Sequence, residues 1–364
     1  MSRSNQRDLQ CFLWICRLVS PFSTKAQLES EMPETIRWES MIAAATTYLI
    51  APFIHPALEQ HQFLGLAPTP VRDALEALYL LNAQRNAALA GQVERVSRVL
   101  NQAGIEPIWL KGAARLISGS KWSKMRVLSD LDLWVPEHQT LRTNEALCAD
   151  GYVHPEPYAN GYVEDHHLAP LWREGEPAML EVHRGLVTRT RAPVLPLGRF
   201  QRDALLFEWR EQRVGVLSMP DQILNIISQD SMSMYLRGDV RARRPLEFGM
   251  LCHEYGVDRS LQLVWDVYRN TGEAAFIEQY FHWAGALFGL PGEFAGSAII
   301  TDAFLQSVDR FLFSARFPKL GAFTTGCRAI GKYRTANPLM PPRDFATILL
   351  SGAWSAVKRT KPWK

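Results

Sequence analysis

Apolar residues recur at three- and four-residue intervals along the N-terminal part of the chain, which is the spacing of one face of an α-helix. The longest such segment runs from Val71 to Ala103, and Gly104 follows it, as glycine often follows the last turn of a helix. Shorter helix-compatible stretches lie at Ala26–Glu31 and Arg37–Ile50. The pattern predicts an N-terminal helical region over residues 1–104.

After Gly104 the apolar residues form short runs that are typical of β-strands. The strand candidates are Ile105–Leu110, Val127–Val135, His166–Trp172 and Ala178–Leu186. A short helix is predicted at Ala113–Ser118, and a longer one runs from Pro136 to about Ala149. The last two strand candidates flank a glycine- and proline-containing segment that suits a hairpin turn. We predict a small α/β core over residues 105–210.

Helical spacing returns beyond Pro220. One helix opens at Asp221, and others are predicted at Leu246–Tyr255, Arg259–Tyr268, Ala274–Leu287 and Thr301–Phe313. These form a C-terminal helical domain over residues 211–364. The expected fold class is α+β, with a small sheet flanked by N-terminal and C-terminal helical regions.

Composition places the 364-residue chain among globular proteins, because 47% of its residues are hydrophobic and 21% are charged. A net charge of +3 is too small for the footprint of a dedicated nucleic-acid-binding protein. The five cysteines form no CxxC pair, which argues against zinc fingers and disulfide frameworks and favours reduced thiols in the cytoplasm.

Two apolar stretches near the N-terminus resemble targeting or membrane segments only in part. The run from Leu9 to Val19 is interrupted by Arg17 and lacks a clear cleavage site, so a signal peptide is not expected. The stretch from Met41 to Ile54 contains Pro52 and is shorter than the roughly 20 residues of a membrane span. We expect no membrane span.

An acidic pair lies inside an apolar strand candidate, in the sequence Ser129-Asp130-Leu131-Asp132-Leu133-Trp134-Val135. Alternate residues of a strand face the same side, so the two aspartates project together while the leucines face a core. Two close carboxylates repel each other, and a divalent cation relieves that repulsion. A short DxD motif is weak by itself, and the alternative is a polar strand end that caps the next helix.

Glu181, in a second apolar strand candidate, supplies a third carboxylate. Leu180 and Val182 would face the core, leaving Glu181 and His183 on the opposite side. The pattern predicts that Asp130, Asp132 and Glu181 hold Mg²⁺, or Mn²⁺, and act as the catalytic residues.

Five further residues are candidates for the nucleotide side of such a site: Lys111, Gly112, Arg126, Ser129 and His183. Lysine can pair with a triphosphate, glycine lets backbone approach phosphate closely, and arginine binds phosphate in a forked geometry. His183 could position an acceptor or orient a carboxylate. The alternatives are a turn with a surface lysine, an arginine paired with an acidic neighbour and a structural histidine.

His166 and His167 raise the possibility of a three-histidine zinc site with His183. Adjacent strand residues point to opposite faces, so we expect at most one of the two to join His183. The tryptophans Trp109, Trp134 and Trp172 could stack on a base, although core packing is the favoured interpretation.

Together these stretches resemble the uncharacterised bacterial nucleotidyltransferase family of the polymerase-β-like superfamily. The matching segments are Leu110-Lys111-Gly112, Arg126 with the Asp130-Leu131-Asp132-Leu133 strand, Gly151-Tyr152, and Glu181-Val182-His183. The resemblance implies a mixed sheet with flanking helices, metal binding at Asp130, Asp132 and Glu181, and transfer of a nucleotidyl group from a nucleoside triphosphate such as ATP.

The resemblance leaves the acceptor open, and a peptide, a protein or a small molecule is expected. Ala113 stands where the superfamily often has serine, so a hydroxyl contact to phosphate is missing. This departure motivates a first alternative, a non-catalytic binding module on the same fold. A second alternative is a toxin-like enzyme that modifies transfer RNA. The basic stripe Arg237, Arg241, Arg243 and Arg244 supports it, but the near-neutral net charge does not.

Overall fold

The computed structural model describes residues 3–156, 166–187, 194–195, 197–237 and 242–292. The helix predicted at Thr301–Phe313 and the stripe residue Arg241 lie outside these residues. Contact clustering divides the chain into two compact units. The first contains residues 1–67, 227–261 and 272–364, and the second contains residues 68–226 and 262–271.

The helices follow the predicted periodicity closely in the first unit. Its N-terminal helices are α1 (Arg3–Leu18), α2 (Lys25–Ser30), α3 (Trp38–Thr47) and α4 (Ile54–Gln60). Helix α1 contacts α3 and α4 and packs on α12 (Ala274–Phe288), which also packs on α10 (Arg243–Tyr255). Aromatic rings fill that last contact, with the Phe248 and Tyr280 ring centroids 5.5 Å apart.

No single described helix is long and apolar enough to cross a membrane. The segments Trp38–Thr47 and Ala51–Gln60 pass that test only as a pair, and they meet at a bend of 119°.

The second unit contains the long helix α5 (Thr69–Gln102). A long helix was predicted here, within the N-terminal helical region. The other helices here are α6 (Lys111–Ile117), α7 (Thr140–Ala149) and α8 (Leu197–Asp203). Helix α9 (Met219–Arg237) and helix α11 (Val257–Tyr268) each have residues in both units. Leu89, Val93, Val96 and Leu100 of α5 are buried in one core cluster with the inner face of a β-sheet.

The sheet has five strands and is mixed, which confirms the α+β fold class. The strands are β1 (Ile108–Trp109), β2 (Asp130–Trp134), β3 (Met179–His183), β4 (Leu205–Trp209) and β5 (Gln212–Val216). Their spatial order is β3-β2-β1-β5-β4. Strand β2 runs parallel to β3 and antiparallel to β1, β1 is parallel to β5, and β4 is antiparallel to β5.

The predicted hairpin at residues 166–186 is wrong in its first strand. The backbone of residues 166–172 pairs with β3 in two isolated antiparallel bridges, His167 with His183 and Leu171 with Leu180. Pro170 lies between the two bridges and has no N–H to donate, so a continuous ladder cannot form there. The regular partner of β3 is β2 instead.

A second hairpin, β4–β5, has no counterpart in the sequence analysis. Its two-residue turn is Arg210-Glu211, and both residues have positive φ, 50° and 64°. Turns with two positive φ values favour Asn-Gly or Asp-Gly, so a charged pair gives no turn signal. Strand β5 lies beyond residue 210, the expected end of the α/β core, while the three domain ranges stay a prediction.

Candidate metal centre

Strand β2 separates apolar from acidic side chains by alternation. Leu131 and Leu133 are fully buried in the core cluster beneath the sheet. Asp130 and Asp132 point to the other face, as predicted. In the parallel ladder Asp132 is the register partner of Glu181, so the two carboxylates occupy neighbouring strands on one face.

Three side chains converge on this face: Asp132, Glu181 and His183. One ligand atom from each lies within 4.8 Å of the others. The Nε2 atom of His183 is 2.8 Å from Asp132 Oδ1 and 3.8 Å from Glu181 Oε2. Two carboxylates and one imidazole are ordinary ligands of divalent metals, and their spacing lets one cation contact all three. The residues present therefore fit a metal ion.

Asp130 is placed at the edge of this group rather than inside it. Its register partner is Met179, two positions before the Asp132–Glu181 pair. Its Oδ1 accepts a hydrogen bond from Ser129 Oγ at 2.9 Å, and Ser129 is exposed. The charge of Asp130 still reaches Glu181, whose pKa it helps to raise. The metal and catalytic roles of Asp130 and the nucleotide role of Ser129 stay predictions.

Asp132 is a buried carboxylate, only 2% exposed, with two donors on one oxygen. Lys111 Nζ lies 2.5 Å from Oδ1, and His183 Nε2 approaches the same atom. Burial by itself would raise the pKa of Asp132, but the Lys111 ammonium and the His183 ring outweigh burial and hold that pKa well below its usual range. Asp132 is therefore ionised.

Glu181 and His183 shift the other way, toward their neutral forms. Burial, followed by repulsion from Asp132, raises the pKa of Glu181 to about 7. Burial lowers the pKa of His183, although its hydrogen bond to Asp132 opposes the shift. A neutral imidazole that donates Nε2–H to Asp132 leaves Nδ1 as an acceptor. That Nδ1 atom is buried and meets no hydrogen-bond donor in the described part of the chain.

Lys111 reaches Asp132 from an unusual backbone conformation. It follows β1 as the first residue of α6 and has a φ of 48°, in the left-handed region that favours glycine. Non-glycine residues in this region cost conformational free energy and cluster at functional sites. The predicted partner of Lys111 was a triphosphate, and the structure places its ammonium on Asp132. Its nucleotide role stays a prediction.

Gly112 and Arg126, predicted on the nucleotide side, pack against each other. A Cβ added to Gly112 would lie 2.0 Å from Arg126 Nη1 and 2.6 Å from Leu128 Cδ2. Close packing of residues 126–128 thus explains why glycine occurs here. Arg126 is buried and its carbonyl oxygen accepts hydrogen bonds from Asn82 and Asn86. Whether either residue contacts a nucleotide stays a prediction.

Helix α5 contributes polar residues that the sequence analysis did not single out. Asn82, Arg85 and Asn86 lie at three- and four-residue spacing and donate to backbone carbonyls of residues 123–128. Arg85 also donates to Pro177 O at 3.5 Å. Because Leu128 and Pro177 shortly precede β2 and β3, Arg85 ties the starts of both acid-bearing strands to one helix. In the sequence, these residues could have been found as a polar cluster that interrupts the apolar stripe of the long helix.

Both His166 and His167 lie beside His183, which corrects the expectation that at most one would. Their ring centroids are 5.6 Å and 5.3 Å from that of His183. Strand alternation does not apply, because the two residues are outside a continuous strand. Even so, within the described ranges the compact ligand group is Asp132–Glu181–His183 and not three histidines.

The three tryptophans lie in different environments. Trp109 and Trp134 are buried, which confirms core packing for both. Trp109 also donates Nε1–H to Ser97 Oγ at 3.0 Å. Trp172 is 40% exposed, so the favoured core interpretation is wrong for this residue.

The fold and the site define a class of α+β protein in which adjacent sheet strands bring together two carboxylates and an imidazole that could hold a metal ion. A family model described as uncharacterised nucleotidyltransferase matches residues 34–289, which is more than half of the chain. The chain belongs to this family, and membership implies a nucleoside triphosphate substrate. Comparison with curated proteins and with solved structures found no match.

Proposed function

We propose that this chain is a divalent-metal-dependent nucleotidyltransferase. It transfers a nucleoside monophosphate from a nucleoside triphosphate to an acceptor oxygen, and pyrophosphate leaves. The observation that carries the proposal is the Asp132–Glu181 register, which with His183 brings three ligand atoms within 4.8 Å of one another in a chain of the nucleotidyltransferase family.

Each residue of the site has a role that follows from its environment. Asp132, ionised and held by its neighbours, anchors the metal together with Glu181. Asp130, half-buried at the start of β2, would add a further carboxylate to the metal centre. When bound, a divalent cation polarises the phosphate and lowers the pKa of the acceptor hydroxyl. Lys111 exchanges its contact with Asp132 for the negatively charged triphosphate.

The acceptor we favour is a peptide, a protein or a small hydroxylated molecule, and the metal is Mg²⁺ or Mn²⁺. A nucleic-acid acceptor is less favoured, because two residues of the basic stripe have partners within the protein. Arg243 Nε lies 3.5 Å from Glu247 Oε1, and Arg244 Nη1 donates to Gln229 Oε1 at 2.6 Å. Both arginines are therefore less available for phosphate contacts.

The test is label transfer from each α-labelled nucleoside triphosphate in cell extract, with Mg²⁺ or Mn²⁺ present. We expect labelled product and pyrophosphate from the wild-type protein and a loss of at least about 100-fold in Asp132→Asn and Glu181→Gln proteins. Glu137→Gln is the matched control, since Glu137 is exposed and lies just after β2. Unchanged turnover in the folded Asp132→Asn protein would rule out the proposal.

A binding module on the same fold is the second candidate. It is favoured by one observation, that Asp132 Oδ1 already holds both Lys111 and His183. Calorimetry beside the transfer assay separates the two: a module binds triphosphate without releasing pyrophosphate with any acceptor fraction.

A further inference from the structure

The His183 ring lies close enough to both carboxylates to bind the same cation directly. A nitrogen ligand at this position would affect which metal ion the site prefers. Any role of His183 as a ligand depends on the metal centre of the proposed function. His183 follows Glu181 by two positions on β3, so both side chains lie on the face that carries Asp132. Its Nε2 is the ring atom nearest the carboxylates, 2.8 Å from Asp132 Oδ1 and 3.8 Å from Glu181 Oε2.

A nitrogen ligand changes the metal preference of a carboxylate site. Mg²⁺ prefers oxygen ligands in a strict octahedron, whereas imidazole suits the first-row transition metals. Among those metals Mn²⁺ also accepts carboxylate and phosphate oxygens readily. We propose that His183 coordinates the cation directly through Nε2 and that this makes the site selective for Mn²⁺ over Mg²⁺.

The surroundings of the His183 ring allow its Nε2 to exchange the hydrogen bond to Asp132 for a bond to a metal. Coordination through Nε2 needs the ring proton on Nδ1, and at present Nε2 donates to Asp132. Nδ1 is buried and has no hydrogen-bond partner among the described residues. Nδ1 is therefore unpaired whether or not it carries the ring proton. Moving that proton from Nε2 to Nδ1 adds no further unpaired ring nitrogen, provided that Nε2 binds the metal.

The competing interpretation is that His183 only orients Asp132 by a hydrogen bond. The two differ in one observable, the contact between the metal and a ring nitrogen. Pulsed electron paramagnetic resonance of Mn²⁺ added to the full-length protein detects a directly bound ¹⁴N through its modulation of the echo. This readout needs no substrate and no turnover.

We expect ¹⁴N modulation in the wild-type protein. When the histidines carry ¹⁵N, we expect ¹⁵N modulation in its place. We also expect the modulation to be lost in His183→Gln and kept in His167→Gln. His167 is the matched control, because its ring centroid lies 5.3 Å from that of His183 and the residue is outside the ligand group. The ¹⁵N experiment uses the wild-type sequence, so it still tests for a histidine ligand if His183→Gln fails to fold. Modulation kept in His167→Gln then excludes that neighbouring ring.

Affinity gives the second measurement. Calorimetric titration should show the wild-type protein binding Mn²⁺ about ten-fold or more tightly than Mg²⁺, with that ratio falling toward one in His183→Gln. Mn²⁺ bound without nitrogen modulation, or not bound at all, overturns the proposal. Nitrogen modulation without transfer activity supports coordination by His183 and counts against the proposed function. Transfer activity without nitrogen modulation supports the proposed function and overturns coordination by His183.

Discussion

Asp132 and Lys111 form an ion pair on the oxygen atom that a metal would also use. A buried carboxylate needs a positive partner, and here the ammonium supplies it at 2.5 Å. A metal ion and the Lys111 ammonium are both positively charged and repel each other. Binding of either one to Asp132 Oδ1 therefore weakens binding of the other. In the proposed function, Lys111 would therefore link metal binding to triphosphate binding.

Replacing Lys111 with methionine should separate these two effects. Without the ammonium, we expect Mn²⁺ to bind about ten-fold more tightly in the absence of nucleotide, and nucleotidyl transfer to fall by a similar or larger factor. Calorimetry and the label-transfer assay measure the two changes. Lys121→Met, at an exposed lysine, should alter neither. If metal affinity stays at the wild-type value, Lys111 does not compete for Oδ1.

The raised pKa of Glu181 makes stability and metal affinity depend on pH in opposite directions. Between 4.5, the ordinary value, and about 7, the folded protein retains a proton that the unfolded chain has released. The contribution of Glu181 to the free energy of unfolding therefore falls as pH rises through this window, by at most about 1.4 kcal/mol per pH unit. Metal binding needs the ionised carboxylate and should tighten over the same interval.

Urea denaturation of the metal-free protein between about pH 5 and about pH 8 tests this dependence. The wild-type protein should lose more stability across the interval than Glu181→Gln does. Metal titrations at the same pH values should tighten for the wild type. Equal pH dependence in the two proteins would show that Glu181 titrates near its ordinary value.

At the level of elements, α6 packs so closely on residues 126–128 that a side chain at its second residue would have to displace a neighbour. Alanine normally stabilises a helix by about 1 kcal/mol relative to glycine. At Gly112 a Cβ would meet Arg126 Nη1 at 2.0 Å and Leu128 Cδ2 at 2.6 Å. We expect Gly112→Ala to lower the free energy of unfolding by about 1–3 kcal/mol, because a buried neighbour has to move.

Gly198→Ala is the control for this substitution. Gly198 is also helical, and a Cβ there would meet nothing within 4 Å. Chemical denaturation should show no loss of stability in that variant, and a gain of up to about 1 kcal/mol. A Gly112→Ala protein as stable as the wild type would mean that Arg126 and Leu128 move away at little cost.

Long, regular helices and strands were predicted from the local pattern, and some short or irregular ones were missed. Helix α5 was predicted to within two residues of its start, because its apolar stripe repeats over many turns. The inward leucines of β2 and β3 likewise revealed which face carries the acids. The β4–β5 hairpin was missed because Arg210 and Glu211 adopt positive φ without the usual residues. The position of Pro170 was visible in the sequence and should have excluded a continuous strand.

For the whole molecule, the limit of the sequence is long-range pairing. Period-two alternation shows which side chains share a face of one strand, but not which strand lies next to it. The approach of Glu181 to Asp132 depends on the parallel β2–β3 ladder, and the ion pair with Lys111 depends on the positive φ after β1. Local sequence specifies neither feature. The acidic side chains of this face could therefore be singled out from the sequence, but the contacts that Asp132 makes with Glu181, His183 and Lys111 could not.

The parallel β2–β3 ladder has a kinetic consequence. His183 and Asp132 are separated by 51 positions, so the Asp132–Glu181–His183 group forms only after a long loop has closed. Pairing at such separation is slow and belongs late in folding. A cation that binds the finished group should leave the refolding rate almost unchanged and slow unfolding instead. Stopped-flow chevrons with and without Mn²⁺ measure both limbs; a steeply accelerated refolding limb would show that the ladder forms early.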